Sequence, residues 1–322
     1  MARPDRDPAP AATPAPPAGP PPIATGEVGW QVLSAMARET SLLAAMRAMR
    51  RHLGPVFRIT LPTFAPVVAS GTEASRCVLV TERAAFAWRN ASDPVTKLLR
   101  HGVLVEDGEA HAMLRAAMEP SLAPRRVAGQ VAAMWRATDT VLDGWRPGRT
   151  LDMIDEMRRI ALLILMQSLF GIDFRADMPR LWRPILRSIA FIAPGAWIVW
   201  PGIPRPGFAR PLRRLDDYLH AIIRQRRAEG ADGDDLLSAL VRSDMDDGLI
   251  RDQLLTMLIA GHDTSTALLA WTLHLLGRHP DVLARAGDEA DAVLGDGPPT
   301  PEEVERLRYI DQVLKEALRL YP

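Results

Sequence analysis

The sequence predicts a mainly α-helical protein with a small β-sheet part. Apolar residues recur at the three- and four-residue spacing of amphipathic helices, whereas only one pair of short strands is indicated. No internal repeat is found. The predicted helices are residues 28–53, 127–142, 151–170, 210–227, 249–276, 281–294 and 301–320, and the predicted strands are residues 56–61 and 65–69.

Several helix boundaries carry residues that favour a helix end or start. Gly54 and Pro55 end the first segment, because glycine relaxes the last turn and proline cannot continue the helix. Gly171 ends the third segment in the same way. Thr300 fits the N-cap of the last segment, with Pro301 at the first helical position.

The remaining organisation follows from proline, glycine and alanine content. Residues 1–27 are predicted to be a disordered tail rich in proline and alanine, and residues 28–322 to form one domain. The connector 192–207 contains four prolines and three glycines around the apolar run from Trp197 to Trp200. It fits a loop folded onto its own core, a mobile lid over a hydrophobic site, or a membrane-touching patch.

Composition excludes some classes of function. The 322 residues include 39 basic and 39 acidic side chains and give no basic excess for binding nucleic acid. The single cysteine, Cys77, cannot form an internal disulfide, which favours a reducing, cytoplasmic location. Residues 253–276 are long enough to cross a bilayer, but polar residues at their centre predict a buried helix and no transmembrane segment.

Polar side chains interrupt the longest apolar helix at residues 262–265. The small residues Ala260 and Gly261 allow a flat or diatomic ligand to approach the backbone. The Thr264 hydroxyl can bond back to the Ala260 carbonyl, loosen the helix and admit water. Burial is expected to raise the pKa of Asp263, which suits a proton relay. The alternative is that these polar residues meet another helix or solvent.

Two further pairs have helical spacing. His111 and Arg115 are four residues apart, so both can donate to one anionic group, or form an ordinary surface pair. Glu316 and Arg319 are three apart and can pair with each other. The same Glu-x-x-Arg spacing occurs four more times, where a solvated salt bridge is the simpler interpretation.

Taken in order, these motifs resemble those of the cytochrome P-450 superfamily, the heme-thiolate monooxygenases. The resemblance extends from about Val28 to Pro322 and covers the strings 107–115, 260–265 and 315–322. It implies that Asp263 and Thr264 bind and protonate dioxygen and that Ala260, Gly261 and Thr264 line the oxygen groove beside the heme. It also implies that His111 and Arg115 bind the heme propionates and that Glu316 and Arg319 have a structural role.

The same resemblance implies cofactors and partners. These are heme (iron protoporphyrin IX), O2 and a hydrophobic small-molecule substrate. No dinucleotide or flavin fingerprint is present, so electrons from NAD(P)H are expected through a separate ferredoxin-type donor. Arg125, Arg126 and Arg136 would offer that donor a basic face, or are simply solvated.

The sequence departs from the family pattern at the axial ligand. The family's glycine-rich cysteine loop, expected downstream of Arg319, is not among these residues, and Cys77 is expected to be buried on a short helix without replacing it. The sequence is therefore expected to be a fragment, incomplete at its C-terminus, inactive as it stands and poorly soluble. The alternatives are an inactive helical binding module without heme and a family member with peroxide-driven chemistry.

Overall fold

The computed structural model describes residues 19–39, 42–60, 65–88, 93–193 and 205–322. The contacts divide the chain into two compact units, Met1–Phe86 with Ala196–Gly202 and Ala87–Gly195 with Ile203–Pro322. The predicted mainly α fold with a small sheet is confirmed. Most of the predicted tail, the hairpin turn at residues 62–64 and most of the apolar connector lie outside the described residues. Among the described helices, none has the length and hydropathy needed to span a membrane.

The first unit contains three α-helices and one antiparallel strand pair in its described part. The predicted helix 28–53 is two helices, and both strands are shorter than predicted. Phe57 is the buried residue of the first strand and pairs with Val68. The elements are α1 Gly26–Glu39, α2 Leu42–Leu53, β1 Val56–Arg58, β2 Val67–Ala69 and α3 Thr72–Arg76.

Two details of this unit differ from the sequence-based expectations. The Arg58 amide donates to the Pro22 carbonyl at 2.8 Å, and Ile23 forms a parallel bridge with Arg58. Regular structure therefore begins before residue 28, and the expected disorder does not apply to residues 22–27. Cys77 opens a π-helical turn and is exposed, so the expectation that it is buried is wrong.

The second unit holds the remaining described helices and the larger core. Its short helices are α4 Pro94–Leu99, α6 Pro124–Ala128, α11 Leu236–Arg242 and α14 Pro301–Arg306. Its longer helices are α5 Gly108–Met118, α7 Val131–Leu142, α8 Met153–Phe170, α9 Met178–Ile192, α10 Ala209–Glu229, α12 Asp247–Arg278, α13 Pro280–Val293 and α15 Arg308–Leu320.

Helices α8 and α12 pack against each other at the centre of this unit. Fully buried leucines such as Leu162 on α8 and Leu254 on α12 belong to one continuous apolar core, and each contributes about 1.5–3 kcal/mol by leaving water. Most apolar residues in the first half of α12 are buried, and they lie on several faces of the helix, which explains its central position.

The predicted helix boundaries are confirmed at two places. Gly171 ends α8 in the left-handed region at φ 65°, and the Ile172 amide donates to the Met166 carbonyl at 3.0 Å, as in a Schellman motif. Thr300 forms a capping box with Glu303 at the start of α14. The predicted helix 301–320 is interrupted between α14 and α15, and the helix predicted at 127–142 is preceded by the separate helix α6.

A buried polar clamp fixes the turn before α5 on the start of α12. Gln253 accepts a hydrogen bond from the Val103 amide at 2.8 Å and donates to the His101 carbonyl at 2.9 Å. Asp252 accepts from the His101 amide at 3.2 Å and pairs with Arg251 at 2.7 Å. Burial raises the pKa of Asp252 to about 6. These bonds hold α12 and the segment that leads to α5 together.

Candidate functional site

Helix α12 carries the central polar segment. Asp246 caps its first turn by accepting from the Leu249 amide at 2.8 Å. The helix has 32 residues, so it is about 48 Å long, and residues 260–265 lie near its middle. Packing against α8 gives these residues one buried side and one exposed side.

Thr264 lies on the exposed side of α12. Its hydroxyl donates to the Ala260 carbonyl at 2.8 Å, as the four-residue spacing predicts. The segment remains α-helical from Asp247 to Arg278, so the expected loosening of the helix does not occur. The hydroxyl oxygen keeps its acceptor capacity toward a ligand or water.

Asp263 forms an ion pair with α8. One carboxylate oxygen lies 3.4 Å from Arg158 Nη2, and the Arg158 guanidinium also lies 3.7 Å from Asp155. The Asp263 side chain is 45% exposed, so the expectation of a desolvated acid is wrong. The alternative interpretation, in which the polar residues meet another helix or solvent, describes this contact.

The two small residues of α12 beside Asp263, Ala260 and Gly261, differ in their surroundings. Ala260 is half-buried, whereas Gly261 is exposed. A Cβ atom on Gly261 would lie 2.8 Å from Leu165 Cδ1 of α8, closer than real Cβ contacts allow. A larger residue at position 261 therefore requires the Leu165 side chain to shift.

Sequence reasoning missed His262, which is completely buried. Within the described part of the chain, neither ring nitrogen has a hydrogen-bond partner. Burial lowers the pKa of the imidazole to about 4, so the ring is neutral at neutral pH. The four-residue spacing of Leu258, His262 and Thr266, all buried, places His262 on the core face and could have revealed its position.

His111 and Arg115 lie on α5. His111 is half-buried and Arg115 is exposed. Neither side chain forms a hydrogen bond or ion pair with any other residue that the structure describes. Their free donors suit a carboxylate, so this pair fits the propionates of a heme. No hydrogen bond or ion pair among the described residues joins them to residues 260–265.

The chain has one cysteine, Cys77. Cys77 belongs to the first unit, whereas α5, α8 and α12 belong to the second. In the second unit, His111 and Arg115 fit the heme propionates, and residues 260–265 fit the side of the heme where oxygen binds. This unit includes no cysteine that could supply a thiolate for the iron.

Glu316 and Arg319 pair on α15, as their spacing predicts. The two hydrogen bonds measure 2.6 and 2.7 Å, and the guanidinium lowers the pKa of the Glu316 carboxyl. The side chains are 54% and 67% exposed, so the pair lies at the surface. Next to it, Tyr321 stacks on Trp271 of α12 with ring centroids 3.8 Å apart.

An apolar surface cavity of about 720 Å³ adjoins the Arg158–Asp263 pair. Its walls come from α8, the segment before α8, and the second half of α12. They include Trp145, Leu151, Ile154, Ala267, Ala270 and Trp271. Asp263 therefore lies between the exposed side of α12 and a cavity large enough for a small molecule.

The three arginines proposed as a basic docking face are all exposed. Arg126 is paired with Asp234 at 2.5 Å, which leaves Arg125 and Arg136 as the more available charges. The face is therefore less basic than the sequence indicates.

A family model for cytochrome P450 matches residues 17–322. The chain belongs to the cytochrome P450 family. Cyclooctat-9-en-7-ol 5-monooxygenase of Streptomyces melanosporofaciens is 32% identical over 336 aligned positions, which cover 96% of this chain and 71% of that protein. Putative cytochrome P450 139 of Mycobacterium tuberculosis is 28% identical, with 86% of this chain and 67% of that protein covered.

The retinoic acid bound cyanobacterial CYP120A1 has a similar fold. The TM-score is 0.73 at 24% identity, with 86% of this P450 chain and 64% of that chain covered. The chain thus spans about two thirds of the length of these relatives. Family membership implies heme as cofactor and an oxidoreductase of the P450 type.

Proposed function

We propose that the protein is a heme-dependent monooxygenase that inserts one oxygen atom from O2 into a hydrophobic small molecule. Electrons would come from NAD(P)H through a separate ferredoxin-type donor, in the cytoplasm. The observation that carries the proposal is the adjacent acid and hydroxyl on α12, with Thr264 exposed and Asp263 paired with Arg158. The named monooxygenase relative supports the same reaction class.

The residues of α12 would handle protons in this reaction. The heme, when bound, supplies activation of dioxygen and transfer of one oxygen atom. Asp263 is exposed enough to exchange protons with water, and Arg158 at 3.4 Å limits the positions of its carboxylate. The Thr264 hydroxyl donates to Ala260 and offers its oxygen as an acceptor on the open side of the helix.

Other residues would bind the cofactor. His111 and Arg115 would donate to the propionates from one face of α5. Ala260 and Gly261 would leave space beside the ring, since neither has a side chain larger than a methyl group. Glu316 and Arg319 would support the helix that carries them.

The test is Thr264→Ala in the heme-loaded protein, with the neighbouring exposed Ser265→Ala as control. Thr264→Ala should retain heme but yield severalfold less product per O2 consumed, because the proton-handling hydroxyl is lost. Thr264→Ser should restore most of the yield. Equal yields in Thr264→Ala and the control would contradict the proton-handling role.

A heme-free binding module is the second candidate, favoured by the lack of a cysteine among the residues of the second unit, which holds α5 and α12. Titration of the 322-residue chain with hemin, followed by absorbance, separates the two. Uptake that falls in His111→Ala and Arg115→Ala supports the heme assignment. If the chain takes up no heme, the heme assignment is contradicted and the heme-free candidate is the one that stands.

A further inference from the structure

A groove between α9 and α10 is lined by four arginines. Arg183 and Arg187 lie four residues apart on α9, and Arg210 and Arg214 lie four apart on α10. The groove encloses about 780 Å³, and its lining contains no acidic residue. All four side chains are exposed, and none belongs to the α12 site.

These arginines have no acidic partners within the part of the chain that the structure describes. Arg187 lies over the Phe208 ring at 4.6 Å, which is a cation–π contact without charge neutralisation. Like charges four residues apart repel each other along a helix, and here two such pairs line one groove.

Helix α10 also carries arginines that do have acidic partners. Near its C-terminal end, Arg226 pairs with Asp235 at 2.6 Å and Arg227 pairs with Asp247 at 2.8 Å. Positive charge therefore accumulates in the groove, whereas Arg226 and Arg227 are neutralised. An anion bound in the groove would relieve the repulsion.

The floor of the groove is apolar. It is formed by Trp182, Pro184, Leu186, Ala190 and Pro211. Trp182 and Leu186 are half-buried and offer hydrophobic surface beneath the guanidinium groups. The combination suits a molecule with an anionic head and an apolar body.

We propose that this groove binds a single-chain amphiphile with an anionic head group, such as a long-chain carboxylate. The carboxylate would accept hydrogen bonds from the guanidinium groups, and the chain would lie along the apolar floor. A concave groove of this volume holds one small molecule. The site does not depend on heme.

The test is calorimetric titration of the 322-residue chain with dodecanoate below its micelle concentration. Dodecanoate should bind roughly tenfold more tightly than dodecanol, which lacks the charge. Arg183→Gln/Arg187→Gln and Arg210→Gln/Arg214→Gln should each weaken binding by a similar factor. Arg213→Gln/Arg224→Gln removes two exposed charges of α10 outside the groove and should leave binding unchanged.

Three results would overturn the proposal. The first is equal affinity of the wild type and the groove variants for dodecanoate. The second is equal affinity of the wild type for dodecanoate and dodecanol. The third is binding to vesicles containing anionic lipid without binding of monomeric dodecanoate, which would assign the arginines to a membrane surface.

If the groove variants fail to fold, as judged by circular dichroism, salt dependence in the wild type takes their place. Added sodium chloride should weaken dodecanoate binding severalfold, because the charges are exposed and readily screened. Binding that is insensitive to salt would contradict the proposal.

Discussion

Acidification should destabilise the protein through His262, and His262→Phe should remove this effect. The ring is completely buried and its pKa is lowered from 6.5 to about 4 by burial. The unfolded chain therefore binds the proton more tightly than the folded chain. The free energy of unfolding that depends on keeping this ring neutral is fully present above about pH 6.5. It is lost as the pH falls toward about 4.

The size of the effect follows from the two pKa values. A difference of one pKa unit corresponds to about 1.4 kcal/mol, so His262 should lower the free energy of unfolding by about 2 kcal/mol between about pH 7.5 and pH 5. The loss should approach about 3 kcal/mol near pH 4. The neighbouring charges act in opposite directions, since Asp263 raises the pKa of His262 and Arg158 lowers it.

The assay is urea unfolding followed by circular dichroism at several pH values. At neutral pH, His262→Phe should be neutral or stabilising, because neither ring nitrogen has a hydrogen-bond partner among the described residues to lose. The difference in free energy of unfolding between His262→Phe and the wild type should then increase as the pH is lowered. The exposed His279→Gln serves as control and should follow the wild type. A difference between His262→Phe and wild type that does not change with pH would refute the reasoning.

Two further predictions concern packing and buried charge. Gly102→Ala should cost about 1–3 kcal/mol in urea unfolding, since the new Cβ would lie 1.9 Å from Thr256 Oγ1, whereas Gly277→Ala has no atom within 4 Å and should be neutral or stabilising. Equal effects of the two would contradict the close packing of Gly102 against Thr256. Arg226→Met should cost about 3–5 kcal/mol, because it leaves Asp235 unpaired with only 13% of its side chain exposed. A thermal melt indistinguishable from wild type would show that this pair is not needed.

The sequence predicted the long helices well because their buried faces repeat regularly. Helix α12 was expected at residues 249–276 and extends from Asp247 to Arg278. Helix α9 was not predicted, because Pro184 and several arginines obscure its apolar face. Helix α11 was missed because it has only seven residues. The apolar neighbours of Cys77 suggested burial, but its π-helical turn contains no buried residue.

Within the site, local contacts were predictable and distant ones were not. The Thr264–Ala260 hydrogen bond depends only on helix geometry. The Arg158–Asp263 pair joins residues 105 positions apart, and its existence depends on how α8 packs against α12. The expected burial of Asp263 is not provided by this packing. The same packing buries His262, whose position on the core face depends on the rotation of α12.

The close approach of Leu165 to Gly261 affects how this helix can be engineered. A directed-evolution library that varies Gly261 to reshape the oxygen-facing groove also disturbs the interface with α8 on the other side. A change in activity among its members would then combine the effect on the groove with the effect of moving Leu165. Varying Leu165 together with Gly261, toward smaller side chains, would separate the two constraints and show which substitutions the groove itself accepts.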